Sequence, residues 1–251
     1  MFKLKVIACE VLKREISFLA SRSPCYIDVT FLSQGLHATP DKLRAMLGEE
    51  IEKADKGTPN AHYPEDQHYD FIILGYGLCD NSIINLAVSL TPLVIPRAHD
   101  CITLLLGSKD RYRELFNKAP GTYWYSRGWI ESTVQPGEER YKKTRDSYVQ
   151  KYGEDNADYL MEMEQGWFKS YERALFINWE ELGNTEYYRE YTKKCADYLK
   201  WKYEEERGSV LLMEKMLSGI FDKDEVQIIP PGMSVAASHD ETIIRAGSQS
   251  P

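Results

Sequence analysis

The sequence predicts an α/β protein: a mostly parallel, Rossmann-like sheet flanked by helices, with an added helical segment around residues 138–173. Three observations carry that prediction. Short apolar runs rich in β-branched residues recur at Lys3–Ala8, Tyr26–Phe31, Asp70–Leu74 and Leu93–Pro96. Stretches with helical spacing of apolar residues separate several of them. Polar and glycine-containing clusters punctuate the ends of the runs. Strands alternating with helical stretches of roughly ten to twenty residues build parallel sheets covered by helices on both faces.

In chain order, Lys3–Ala8 reads as the first strand, followed by Cys9-Glu10 and a helix over Val11–Ala20. Tyr26–Phe31 alternates and forms the second strand. Thr39 or Pro40 then starts a helix over Lys42–Ala54, because a hydroxyl at the N-cap or proline in the first turn suits the unpaired N–H groups there. Lys56–His68 is a polar surface loop. The third strand is Asp70–Leu74 and the fourth Leu93–Pro96; Asp100 caps a short helix to Leu106, and Lys109–Lys118 is helical. Gly121–Ser126 is a fifth strand, Glu138 to about Arg173 two helices beside the sheet, and Ala174–Ile177 a sixth strand. Tyr187–Glu206 reads as one charged amphipathic helix, Ser209–Ser218 as another, and Val226–Ile229 as the last strand. Residues 1–235 are thus expected to form a single α/β domain with a helical insertion. The polar tail 236–251 is expected to be disordered or docked on a partner.

The chain has 251 residues, 43% hydrophobic and 28% charged, which suits a folded core and excludes a disordered chain. A net charge of −8 argues against nucleic-acid and anionic-membrane surfaces. No apolar run has transmembrane length, and MFKLKVIACEV turns strand-like too early for a secretory signal, so a cytoplasmic protein is expected. Five widely spaced cysteines in such a chain point to ligand or nucleophile roles rather than a disulfide framework.

In parallel α/β sheets, side chains just past the strand C-termini gather on the edge where ligands bind. Cys9, Cys79, His99 and Cys101 all occupy such positions and are the candidate metal ligands. His99 and Cys101, two apart in extended chain, can aim at one point. Three thiolates and an imidazole are a tetrahedral zinc set; three cysteines also suit an iron–sulfur cluster with one open iron. Gly75 and Gly77 permit a sharp turn and close approach to a cofactor. Glu10, beside Cys9, and Arg97 are candidate acid–base and anion-binding groups, and Tyr76, Trp129 and Trp179 follow strand ends where they could wall a pocket. The metal-free alternative makes Cys79 or Cys101 a nucleophile activated by His99. Cys25 and Cys195 read as structural. His37, His62, His68 and His239 fall in polar loops or the tail and read as solvent-exposed.

Several of these segments resemble a family of unknown function from methanogenic archaea and anaerobic bacteria: Gly75–Cys79 (GYGLC), Pro96–Ile102 (PRAHDCI) with Leu106-Gly107, Arg127–Glu131 (RGWIE), the early Cys9 and the late Pro231-Gly232. Asp80-Asn81 stand where that family's cysteine segment continues with glycine. The resemblance implies an association with corrinoid-dependent methyl transfer. The leading expectation is a zinc or iron–sulfur enzyme of anaerobic one-carbon or sulfur metabolism acting on a small molecule. A corrinoid protein or methyltransferase is its expected partner. A non-catalytic corrinoid or metal chaperone is the alternative from another class.

Overall fold

The structure, a computed structural model, describes residues 1–57, 68–238 and 240–248. His62 and His239 lie outside the described residues. The chain divides into two compact units, one formed by Met1–Tyr112 with Ser209–Pro251 and the other by Arg113–Gly208.

The first unit opens with β1 (Lys3–Cys9), a 3₁₀ turn and α1 (Lys13–Ala20), then β2 (Tyr26–Leu32), a 3₁₀ turn at Gln34–Ala38 and α2 (Pro40–Asp55). Next come β3 (Phe71–Gly75), β4 (Leu93–Pro96) and α3 (Cys101–Leu106), and the division between the units falls within α4 (Lys109–Lys118). Proline stands at the start of α2, where its missing N–H is not needed. Leu43, Leu47 and Ile51, spaced four apart, turn its apolar face inward and are 0–1% exposed. Asp100 caps α3 by accepting a hydrogen bond from the Ile102 N–H at 2.9 Å.

The second unit contains β5 (Thr122–Tyr125), α5 (Arg127–Ser132), α6 (Glu138–Tyr152), α7 (Glu154–Glu164), β6 (Arg173–Asn178), α8 (Glu186–Leu199) and β7 (Lys202–Arg207). Its three strands lie in the order β5-β6-β7, all parallel. The predicted helix to Glu206 is corrected here. It ends at Lys200, whose φ of 60° is left-handed, and the Lys202–Arg207 segment becomes an edge strand. Glu204 and Glu205 look helical by composition, but ion pairs to Arg173 at 2.8 Å and Arg189 at 2.7 Å hold them in the strand.

The chain then returns to the first unit with α9 (Leu211–Leu217), β8 (Val226–Ile229), β9 (Met233–Ala237) and β10 (Ile244–Ser248). That unit's five-stranded sheet has the order β2-β1-β3-β4-β8, parallel except for β8, which runs antiparallel to β4. The fold is therefore a mixed α/β one with a mostly parallel central sheet flanked by helices. The strands expected to share one sheet instead form two sheets. The tail, expected to be disordered or docked on a partner, supplies β10, which pairs with β9 as an antiparallel hairpin. Among the described residues no helix is long and apolar enough to cross a membrane.

Sheet order fixes where chemistry can gather. From β1 the chain steps outward to β2, then crosses back to place β3 on the other side of β1. The ends of β1 and β3 are thus the switch point of the sheet, the place where adjacent crossovers diverge and leave a crevice.

Candidate functional site

Cys9 is the last residue of β1, and Gly75-Tyr76-Gly77 closes β3 beside it. Ala8 and Gly75 are register partners. A side chain at Gly75 would stand 2.5 Å from the Ala8 methyl, so glycine there lets the two strand ends meet closely.

Beyond Gly75 the chain is laid onto the segment that follows β4. The Leu78 N–H donates to the Ala98 carbonyl at 2.9 Å and the Cys79 N–H to the His99 carbonyl at 3.0 Å. A Cβ at Gly77 would lie 2.6 Å from the Asp100 nitrogen and 2.7 Å from the Ala98 oxygen. Backbone cannot yield as a flexible side chain would, so Gly77→Ala is expected to cost about 2 kcal/mol, read as a lower urea midpoint. An unchanged midpoint would mean that the two loops do not pack this closely.

Cys79, Asp80 and Asn81 then take left-handed backbone in succession, with φ of 44°, 55° and 64°. Left-handed backbone costs roughly 1–2 kcal/mol per residue with a Cβ, and such strain persists where the surroundings fix it. Here the Ser82 N–H donates to the Cys79 carbonyl at 3.1 Å, and the Arg44 guanidinium to the Asn81 carbonyl at 3.0 Å.

The third contribution comes from the segment after β2. The Glu10 carboxylate accepts from the Gln34 N–H at 2.6 Å and the Ser33 hydroxyl at 3.1 Å. That fixes the 3₁₀ turn carrying His37, whose Nε2 lies 3.2 Å from Cys9 Sγ. The His37 ring stacks on Tyr76, with centroids 6.2 Å apart and planes 30° apart. Cys9, His37, Tyr76 and Cys79 therefore form one cluster at the switch point.

The cluster is dry. Cys9 and Tyr76 are each 1% exposed and Cys79 is 9% exposed. Burial pushes the Cys9 thiol up to about 11, against a smaller opposing effect of the Val11 N–H. Burial, then the Asp100 carboxylate, pushes Cys79 up to about 12. Burial also raises the Tyr76 phenol, with the neighbouring Cys9 and Cys79 adding to the effect. His37 is lowered by burial, which outweighs the Asp80 charge. The resting pair is accordingly a neutral thiol and a neutral imidazole.

The sequence-nominated residues divide sharply. Cys9, Tyr76 and Cys79 come together, with Gly75 and Gly77 shaping their loop. His99 is exposed, and it is its carbonyl that supports Cys79. Cys101 is buried in the first turn of α3. Among the described residues no group of three His, Cys, Asp or Glu side chains could hold a metal ion. Arg97 donates to the carbonyls of Lys223, Thr242 and Ile244 and to Gln227 Oε1, tying β8 and β10 to the end of β4. Glu10 positions the His37 turn. Trp129 and Trp179 belong to the second unit, where Trp179 is buried.

His37 is the residue that sequence reasoning missed, read as exposed because its neighbours are polar. Applied to the second strand as well as to the others, the strand-end rule would have nominated it.

Residues 31–217, well over half of the chain, match the family described as Protein of unknown function (DUF1638). The chain belongs to that family. No curated protein and no solved structure matches it. Within this DUF1638 chain, His37, Tyr76 and Cys79 fall inside the matched segment, whereas Cys9 and Glu10 precede it.

Proposed function

We propose that the switch-point cluster is a thiol-based catalytic site in which Cys9 is the nucleophile and His37 Nε2 accepts its proton. The observation that carries the reading is the 3.2 Å contact between Cys9 Sγ and His37 Nε2 at the switch point of the sheet. Because both partners rest neutral, the proton leaves sulfur as the substrate is attacked rather than beforehand. Glu10 acts through the turn that it anchors, holding His37 in reach. In this reading His37 replaces His99 as the activating imidazole.

Cys195 is an internal control. It too is buried, and burial pushes its thiol up to about 11, but its neighbours are Tyr125 and Tyr191 rather than an imidazole. With iodoacetamide and mass spectrometry, Cys9 is expected to alkylate at least about tenfold faster than Cys195, the low end of general-base catalysis being larger still. His37→Ala is expected to remove that advantage. Equal rates at the two cysteines would sink the reading.

A second reading keeps the cluster but gives its sulfur and nitrogen donors to zinc or an iron–sulfur cluster. Two thiols and an imidazole have the right chemistry. The four ligands expected from the sequence do not converge, however, so no step is derived through a metal. Elemental analysis and an absorption spectrum of protein purified without oxygen separate the readings. The thiol site is expected to carry well under one zinc or iron per chain. A stoichiometric metal lost in Cys9→Ala would establish the metalloprotein instead.

The proposed setting is cytoplasmic one-carbon or sulfur metabolism of an anaerobe, acting on a small molecule, with a corrinoid protein or methyltransferase as partner. It rests on the motif resemblance alone. Co-purification with such a partner is the expected result, and a chaperone role would show the same capture without turnover.

A further inference from the structure

Tyr76 is among the largest fully buried side chains of the protein, yet among the described residues its hydroxyl meets no oxygen or nitrogen acceptor. Its neighbours are the sulfurs of Cys9 and Cys79, which are weak acceptors, and the face of the His37 ring. A buried hydroxyl left without an oxygen or nitrogen acceptor is destabilising and rare, which points to an acceptor brought by a ligand. The two nearby N–H groups of Leu78 and Cys79 are already committed to the carbonyls of Ala98 and His99. The phenol is thus a donor left available beside the nucleophile.

We infer that the site takes a small carbonyl compound, an aldehyde in the simplest case, and that the Tyr76 hydroxyl donates to its oxygen while Cys9 adds to its carbon. The inference rests on the thiol reading above and names its substrate class. A thiol, a base and an O–H donor on one carbonyl are the parts that addition requires. The bond from Cys9 Sγ to the carbonyl carbon forms as the C=O π bond breaks, and the electron pair of that bond moves to oxygen. The thiol proton passes to His37 Nε2, and Tyr76 holds the developing oxyanion. Return of that proton from the imidazolium to the oxygen completes a thiohemiacetal. No oxidant or reductant enters, and the step is reversible. Burial of Cys9 and Tyr76 limits the compound to a few heavy atoms.

The test uses the full chain and acetaldehyde labelled with ¹³C at the carbonyl. A thiohemiacetal carbon resonance is expected in the parent protein and absent in Cys9→Ala. Tyr76→Phe is expected to need about tenfold more aldehyde for half-saturation, the loss of one hydrogen bond to a developing charge. Because the phenol has only weakly accepting sulfur beside it in the free protein, Tyr76→Phe is also expected to melt at or above the parent temperature. A Tyr76→Phe protein that melts well below the parent would assign the hydroxyl a structural role and overturn the inference. So would half-saturation equal to that of the parent, or a parent with no Cys9-dependent resonance. Iodoacetamide alkylation forms no oxyanion, so it separates the two failures: Cys9 alkylating faster than Cys195 with no aldehyde adduct removes the carbonyl substrate and leaves the thiol site standing.

Discussion

Asp55→Ala is expected to lower the stability of the protein by about 3 kcal/mol, the largest loss from any single side chain considered. Asp55 ends α2 and is 5% exposed. Its carboxylate accepts from three successive backbone N–H groups, those of Ser89 at 2.7 Å, Leu90 at 3.0 Å and Thr91 at 2.6 Å. These groups lie just ahead of β4, so the carboxylate fixes how the chain enters the sheet. Hydrogen bonds to a charged acceptor contribute roughly 1.5–3 kcal/mol each, and buried donors left unpaired add a penalty. Their effects overlap, since one group makes all of them, which holds the total near ~3 kcal/mol. Asp55→Asn turns one acceptor oxygen into a donor facing N–H groups, so it is expected to recover only part of the loss. Urea unfolding measures both, and a loss in Asp55→Ala below about 1 kcal/mol would refute the assignment.

Stability is expected to fall on both sides of neutrality for reasons rooted in the same cluster. Cys9 and Cys79 have folded values raised to about 11 and about 12, against about 8.5 for a free thiol. Between those limits the unfolded chain releases the thiol protons while the folded chain retains them. The folded state therefore binds more protons, and stability drops as pH rises. Each thiol contributes a slope approaching about 1.4 kcal/mol per pH unit. Buried tyrosines such as Tyr76, whose phenols are also raised, add to the slope over the same range, so the difference that Cys79→Ala makes between about pH 9 and 10, rather than the slope itself, reads the thiol. Cys79→Ala is expected to flatten that slope by about 1 kcal/mol per unit, measured by urea midpoints across the window. A slope unchanged in Cys79→Ala would mean that Cys79 is not held as a buried thiol. On the acid side His37 works with the opposite sign. Its folded value is lowered by burial, so its contribution is complete above the unfolded value near 6.5 and is lost as pH falls below it. His37→Gln is expected to soften that acid limb.

Much of the fold could be read from local pattern. Leu93–Pro96, Lys109–Lys118 and Val226–Ile229 occupy the spans expected of them, because β-branched runs and amphipathic spacing act through neighbours close in sequence. What escaped depended on partners far away. Lys202–Arg207 is a strand because Arg173 and Arg189 neutralise its glutamates. Residues 244–248 pair with β9 although their own side chains are mostly small and polar. The division of the strands between two sheets follows from which edges pair, and no local run encodes that choice.

The site was legible to the same extent. Cys9, Tyr76 and Cys79 were reachable by the strand-end rule, which needs only the position of a residue after a strand. His99 failed that rule's second condition, direction. Asp100 leaves the strand end to cap α3, and the histidine beside it turns to solvent. Cys101 failed with it, carried into the first turn of that helix. His37 was hidden because its burial comes from Glu10 anchoring the turn, a contact of residues 24 apart.

The order in which the chain closes has a consequence for its birth on the ribosome. The second unit is one continuous segment, while the first needs β8 to cover the outer edge of β4. Until synthesis passes residue 229, the fully buried Leu93–Pro96 strand would present an unpaired apolar edge, the kind of surface on which nascent chains aggregate. The intervening segment, Arg113–Gly208, is complete by then as one contiguous compact unit. The late antiparallel strand therefore closes a sheet begun more than a hundred residues earlier, and the waiting edge is where misassembly of this protein would start.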